Sequence, residues 1–201
     1  MARGRVTGAA PPRPAGPIGY LGLGSNLGDR RGRLQQATDA LADQAVVALA
    51  CSSVYETSPV GAVADQPAFL NAALRICTAL APEELLEAVK AIEREVGRSP
   101  GGMRHGPREI DVDVLLLGGV EHRSPQLTVP HPGLLDRRFA LIPLLELDFE
   151  LAAPRSGSLA DALAALAVAE QDVRWAGPPL LTPDARRCSR PTAPSSTPSP
   201  P

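Results

Sequence analysis

Gly19-Tyr-Leu-Gly22-Leu-Gly24-Ser-Asn-Leu-Gly28 is the stretch whose reading decides the fold. Read one way, it opens a dinucleotide-binding βαβ unit. That fingerprint is G-x-G-x-x-G, which puts the third glycine at position 27; Leu27 is there, and the glycine comes one residue late. Read the other way, it closes the first strand of an antiparallel sheet, and its glycines either let backbone pack closely or form one wall of a binding site. The following elements favour the second reading. Asp29 can cap a helix to about residue 44, with Leu34, Thr38, Leu41 and Ala45 on one stripe. Residues 46–57 and 69–80 read as strands, separated by a loop at 58–67 with two prolines and Gly61. Pro82 opens a second helix where proline is tolerated, with Glu83 and Glu84 in its positive first turn. Leu85, Val89, Ile92 and Val96 form its buried stripe and Gly97 its stop. Residues 109–117 make a further strand, 137–147 a helix interrupted or kinked near Pro143, and 158–168 an Ala/Leu-rich helix. The order β-α-β-β-α-β predicts a ferredoxin-like α+β fold: a single domain, an antiparallel sheet, and helices on one face.

Composition sets the limits. Of 22 prolines in 201 residues, twelve lie in the first 17 or the last 24. The expectation is a disordered extension at 1–17, one domain at 18–177 and a disordered Pro/Ser-rich tail at 178–201. A net charge of −2 supplies no basic field for nucleic acid or anionic membrane, and 3% aromatics argues against base-stacking platforms. No apolar run reaches the ~20 residues that cross a bilayer, and the N-terminal residues lack the apolar core of a secretory signal. Cys51, Cys77 and Cys188 show no CxxC spacing and read as reduced thiols of a cytoplasmic protein.

Two groups of side chains carry chemistry. In Asp111-Val-Asp113 the carboxylates alternate onto one strand face, roughly 6–7 Å apart, while Ile110, Val112 and Val114 face the other way. Paired carboxylates on an apolar strand repel and resist burial unless a divalent cation is present. Oxygen ligands on a rigid strand suit Mg²⁺ with substrate phosphates. A solvated strand half, or the Asp-x-Asp of nucleotide-sugar transferases, would give the same pattern. Around this pair cluster Arg98, Arg104, Arg108, His131, Arg137 and Arg138. Arginine presents a planar donor fork that matches phosphate oxygens. Arg98 and Arg104, on a glycine-rich connection, would close over a triphosphate as a lid. His131, between Pro130 and Pro132, is held in extended chain.

Several segments in register then resemble one family: Gly24-Ser-Asn-Leu-Gly-Asp-Arg30, Ser53-Val-Tyr-Glu-Thr-Ser-Pro59, Asp65-Gln-Pro-Ala-Phe-Leu-Asn-Ala-Ala73, Gly106-Pro-Arg-Glu-Ile-Asp-Val-Asp113, Leu127-Thr-Val-Pro-His-Pro132 and Arg137-Arg-Phe-Ala-Leu-Ile-Pro-Leu144. They are similar to the 6-hydroxymethyl-7,8-dihydropterin pyrophosphokinases of folate biosynthesis, from about Tyr20 to Ala153. The resemblance implies a ferredoxin-like fold and transfer of pyrophosphate from ATP to the pterin hydroxymethyl oxygen, releasing AMP. It implies two Mg²⁺ ions on Asp111 and Asp113. It puts ATP or its phosphates on Arg98, Arg108, His131 and Arg137, with Arg104 on a catalytic loop. It puts the pterin on Gly24, Thr57, Ser58, Val60, Phe69, Asn71 and Phe139, with Asn71 reading the ring edge and Phe139 stacking. A monomer or weak dimer is the family expectation. His105 stands where many relatives carry tryptophan, and Pro100 where some carry arginine, so lid closure is expected to pack differently here. A non-catalytic ferredoxin-like binding module, a glycosyltransferase and a nicotinamide oxidoreductase are the rivals. Retention of the carboxylates, Asn71 and the arginines opposes the first, and small size with an antiparallel sheet opposes the second.

Overall fold

The computed structural model describes residues 16–59, 66–98, 106–154, 156–167 and 171–182. Val60, Pro100, Arg104, His105 and Cys188, together with most of both expected extensions, lie outside them. The first half of the chain runs β1 (Ile18–Ser25), α1 (Arg30–Ala40), a 3₁₀ turn (Leu41–Gln44), β2 (Val47–Cys51), β3 (Val54–Thr57), β4 (Phe69–Cys77) and α2 (Pro82–Glu95). The second half runs β5 (Asp111–Leu117), β6 (His122–Arg123), β7 (Thr128–Val129), α3 (Arg138–Leu147), β8 (Ala152–Ala153), β9 (Gly157–Ser158), α4 (Leu159–Ala165) and β10 (Val173–Gly177).

The sheet order is β10-β3-β4-β1-β5, with β2 also on β4, and every pairing is antiparallel. β1 therefore sits between β4 and β5, so each helical crossover joins strands separated by one other, the split βαβ arrangement. Local chemistry starts the helices as expected. The Asp29 carboxylate accepts the Gly32 amide at the start of α1. Glu84 accepts the Ala81 amide at 2.8 Å, and Pro82 opens α2. Gly97, at φ +102°, turns the chain beyond α2 in a conformation that favours glycine.

Several expectations need correction. Residues 46–57 form two strands, because Ser52 uses its hydroxyl to accept from the Ala73 amide and donate to the Ser53 carbonyl, which breaks the ladder. β4 stops at Cys77, since Thr78 turns its hydroxyl to the Leu80 amide. Ala45 leaves the α1 stripe, exposed at φ +56°. α3 is not interrupted at Pro143; the ring is accommodated within one helix. Gly19, Gly22 and Gly24 lie within β1, and only Gly28, at φ +64°, makes the turn into α1.

The helices also do not share one face. Leu21 and Leu23 of β1, Leu70, Leu74 and Ile76 of β4, and Val112 and Val114 of β5 form the main core with Leu34 of α1 and Leu85, Val89 and Ile92 of α2. α3 and α4 cover part of the opposite face, where Tyr20, Ala73, Leu115 and Leu116 pack against Leu141, Leu144 and Leu159. The late strand β10 was not expected; it pairs with β3 and extends the sheet. Pro178–Thr182, expected as tail, instead run along α1. Gln35 bonds Leu181 in both directions, at 2.8 and 3.0 Å, and Leu180 and Thr182 are buried.

Candidate active site

Strand alternation and register place two rows of residues on the α3 side of the sheet. Tyr55, Asn71, Gly24 and Asp111 stand opposite one another across β3, β4, β1 and β5. The next row holds Ala73, Gly22 and Asp113. β1 contributes no side chain to either row, so the sheet is hollow between β4 and β5. A Cβ on Gly24 would stand 3.2 Å from the Asn71 Oδ1, and one on Gly22 3.2 Å from a Leu115 methyl. The hollow opens into a cleft of about 510 Å³ beside the N-terminal end of α3.

Ten of the residues expected at the site line this cleft: Gly24, Thr57, Ser58, Phe69, Asn71, Arg108, Asp111, Asp113, Arg137 and Phe139. At one end Asn71 is buried and donates to the Thr57 hydroxyl at 2.8 Å, which fixes the amide orientation. Phe139, in the first turn of α3, carries the Arg137 guanidinium 5.7 Å from its ring centre. At the other end Asp111 is held by two arginines, Arg98 to Oδ1 and Arg108 to Oδ2, each at 2.8 Å. Arg98 reaches the cleft only through this pair. It also bonds Glu93 at 2.6 Å, and its amide donates to the Glu93 carbonyl, so it is anchored to the end of α2.

Asp113 differs from its neighbour. Burial, and then the Asp111 carboxylate, push it up to about 6. It has no hydrogen-bond donor among the described residues, whereas Asp111 has two. An acid that resists ionisation beside a second carboxylate is the charge imbalance a divalent cation corrects. Among the described residues no third His, Cys, Asp or Glu completes a cluster, so a cation here would take other ligands from substrate oxygens or water. His131 does not line the cleft. Burial, reinforced by Arg137, lowers it to about 4, and its Nδ1 accepts the Gly133 amide at 3.1 Å. It is therefore neutral, with the proton on Nε2.

Two further residues build the site without a sequence signal of their own. Glu93 is 2% exposed although it belongs to what reads as a surface Lys90–Glu93 pair. Its Oε1 also accepts the Val112 amide at 2.8 Å, tying α2 to the strand between the two aspartates. Asn26, also 2% exposed, accepts the Arg108 amide at 2.7 Å and donates to Gln66 Oε1 and the Pro67 carbonyl, both at 3.1 Å. It braces the arginine end of the cleft against the loop at its other end. It lies inside a family-like motif, and only its burial reveals the role.

Comparison with known proteins agrees with this geometry. The profile of the 7,8-dihydro-6-hydroxymethylpterin-pyrophosphokinase family matches residues 20–149. The 2-amino-4-hydroxy-6-hydroxymethyldihydropteridine pyrophosphokinase of Bacillus subtilis is 47% identical over 131 residues, covering 65% of this chain and 77% of the relative. A folate synthesis bifunctional protein of Arabidopsis thaliana is 43% identical over 127 residues, 63% of this chain but only 26% of the relative, so the chain spans about a quarter of that larger protein. Among solved structures, an HPPK-DHPS in complex with substrates superposes with a TM-score of 0.59 at 13% identity, over 74% of this chain and 43% of the other, which is a likeness of fold. With the profile covering most of the folded chain and the Bacillus relative matched over most of its length, this chain belongs to the 7,8-dihydro-6-hydroxymethylpterin-pyrophosphokinase family.

Proposed function

We propose that this protein transfers pyrophosphate from ATP to the hydroxymethyl group of 6-hydroxymethyl-7,8-dihydropterin and releases AMP, a step of folate biosynthesis. The observation that carries the reading is the row Asn71-Gly24-Asp111. Two inter-strand spacings, about 10 Å, separate an amide fit to read a heterocycle edge from a carboxylate fit for a cation. The glycine between them leaves room for a flat ring and its substituent.

In this reading Asn71 hydrogen-bonds the pterin edge, Phe139 and Phe69 pack on the bicyclic ring, and Thr57, Ser58 and Val60 supply the loop wall. Arg98, Arg108 and Arg137 take phosphate oxygens, with Arg104 approaching from the connection before Gly106. The neutral His131 offers an Nε2–H donor. Asp111 and Asp113 would hold Mg²⁺, two ions in the full reading. Bound there, Mg²⁺ supplies neutralisation of phosphate charge and acidification of the attacking hydroxyl. The hydroxymethyl oxygen forms a bond to the β-phosphorus as the bond to the AMP oxygen breaks, and the hydroxyl proton leaves to solvent. The arginines orient the triphosphate for this in-line exchange and exclude water from the β-phosphorus.

The described helices include none long and apolar enough to cross a membrane. Cys51 and Cys77 are free thiols, which supports a cytoplasmic enzyme. It acts as a monomer or weak dimer on ATP and reduced pterin, with no nucleic-acid or membrane partner. Incubation with ATP and Mg²⁺ should yield AMP only when the hydroxymethyl pterin is present. AMP formed without pterin, or ADP in its place, would overturn the reading.

A further inference from the structure

We infer that Glu146, on the surface outside the cleft, is a positioning residue that sets the width of the slot between Phe139 and β3. The break between β2 and β3 leaves the Ser53 amide outside the sheet ladder. Both Glu146 carboxylate oxygens accept that amide, at 2.9 and 3.0 Å. Oε1 also accepts the Ser53 hydroxyl at 2.8 Å, and Oε2 the Tyr55 phenol at 2.9 Å. One carboxylate thus collects three donors from one strand segment. The Tyr55 phenol responds accordingly, raised to about 12 by burial and by the anion that accepts its proton.

The two elements joined this way carry opposite walls of the cleft. Glu146 lies seven residues after Phe139 on α3, two turns away, so both project from the same helix face. Tyr55 stands opposite Asn71 and two residues before Thr57, on the face that lines the slot. The remaining contacts of α3 with the sheet include Leu141 and Leu144, which are apolar and non-directional. Such contacts hold the layers together without fixing how far the helix slides. At its N-terminal end α3 is held by Gln171, which accepts the Arg138 amide at 2.8 Å and donates to the Asp136 carbonyl at 2.7 Å. At the other end two directional ties meet the sheet: the Tyr20 phenol of β1 donates to Asp148, the C-cap of α3, at 2.9 Å, and Glu146 ties the helix to the strand that leads into Thr57. A change of register there moves Phe139 relative to Thr57 and Asn71; of the arginines assigned to phosphate only Arg137, the N-cap of α3, moves with it, while Arg98, just after α2, and Arg108, just before β5, stay paired with Asp111.

The inference rests on the pterin reading of the cleft. Its test is a pair of dissociation constants measured on the full chain, one for 6-hydroxymethyl-7,8-dihydropterin and one for a non-hydrolysable ATP analogue with Mg²⁺. Glu146→Ala should weaken pterin binding about tenfold and change the nucleotide constant clearly less, since only Arg137 among the phosphate arginines rides on α3. Glu146→Gln, which keeps length and one acceptor oxygen, should recover most of the loss. The Tyr55 ultraviolet titration should move down towards the free phenol value in Glu146→Ala. If that variant does not fold, Tyr55→Phe, which removes one donor only, should still weaken pterin binding selectively. Equal weakening of both ligands, or a lower melting temperature with unchanged pterin binding, would overturn the inference. A wild-type chain that binds no pterin would overturn the functional reading itself; wild-type binding that Glu146→Ala and Tyr55→Phe leave intact would overturn this inference alone.

Discussion

The two faces of one sheet are put to different uses by the same strands. In β1, Leu21 and Leu23 point into the core under α1 and α2, while Gly22 and Gly24 point the other way and leave a hollow. In β5, Val112 and Val114 are buried beneath α2, while Asp111 and Asp113 face the cleft. In β4, Leu70, Ala72 and Leu74 alternate with Phe69, Asn71 and Ala73. The core face is continuous and apolar. The other face is divided between an apolar part under α3 and α4 and a polar part that no helix among the described residues covers. The comparison teaches that rigidity and chemistry here are separated by a pleat and not by a domain boundary, since Gly24, Asn71, Asp111 and Asp113 each have a core residue next to them in the chain.

That separation can be broken from either side. The largest expected effect is on the cleft face. Asp111→Asn or Asp113→Asn should lower turnover at saturating substrates by about 10³-fold or more, several kcal/mol of charge stabilisation. The melting temperature should hold or rise in Asp113→Asn, because Asp113 is costly to ionise where it sits, and fall modestly in Asp111→Asn, which gives up the ion pairs with Arg98 and Arg108. A variant that keeps wild-type turnover with Mg²⁺ would remove the metal reading. On the core face, Leu74→Ala, at a fully buried position, should cost about 2–5 kcal/mol of unfolding free energy. Turnover of the fraction that remains folded should stay near the wild-type value. Denaturant unfolding followed by steady-state assay separates the two, and a Leu74→Ala defect confined to KM would show that the faces are coupled.

The face that packs was the more legible in the sequence. Leu34, Thr38, Leu85, Val89 and Ile92 follow helical period and are buried where that period puts them. The paired aspartates follow strand period and share one face. What stayed hidden depends on partners remote in the chain. The strand break at Ser52 needs the Ala73 amide, and the burial of Glu93 needs the Val112 amide. β10 is an edge strand whose five residues alternate too weakly to stand apart from their surroundings, and it exists because β3 offers it a free edge. The second helical layer was missed for the same reason: nothing local says on which side of a sheet a late helix will land. The glycines after Arg98 carry no sign of the two carboxylates, Glu93 and Asp111, that its guanidinium bonds.

A smaller effect probes the hollow between the rows. Gly24→Ala adds one methyl, 3.2 Å from the Asn71 Oδ1 and 3.8 Å from Phe69. The backbone there is ordinary strand, so the strain falls on the cleft and not on the fold. Overpacking of this size costs about 1–3 kcal/mol, and it should appear as a rise of about 5- to 150-fold in the pterin dissociation constant with little change in nucleotide affinity. Equal loss for both ligands would mean that the hollow is shared by the two substrates.

The smallest effect concerns where the domain ends. The proline count suggested a boundary at Gly177, but Leu180 packs into the main core on the α1 side, and Arg31 and Gln35 of α1 bond the backbone of Pro178 and Leu181. The folded unit therefore extends past Gly177, at least as far as Thr182. Truncation after Thr182 should leave both stability and turnover unchanged. Truncation after Gly177 exposes the apolar surface that Leu180 covers, about 1.5–3 kcal/mol for a fully buried leucine. It also unties β10 from α1 at the sheet edge, on the face away from the cleft. Its melting temperature should fall by several degrees while KM for both substrates stays within about twofold. A KM change for the pterin in the shorter chain would mean that the edge strand, through β3, helps hold Thr57 in place, and that the two faces are less independent than the pleat alone would make them.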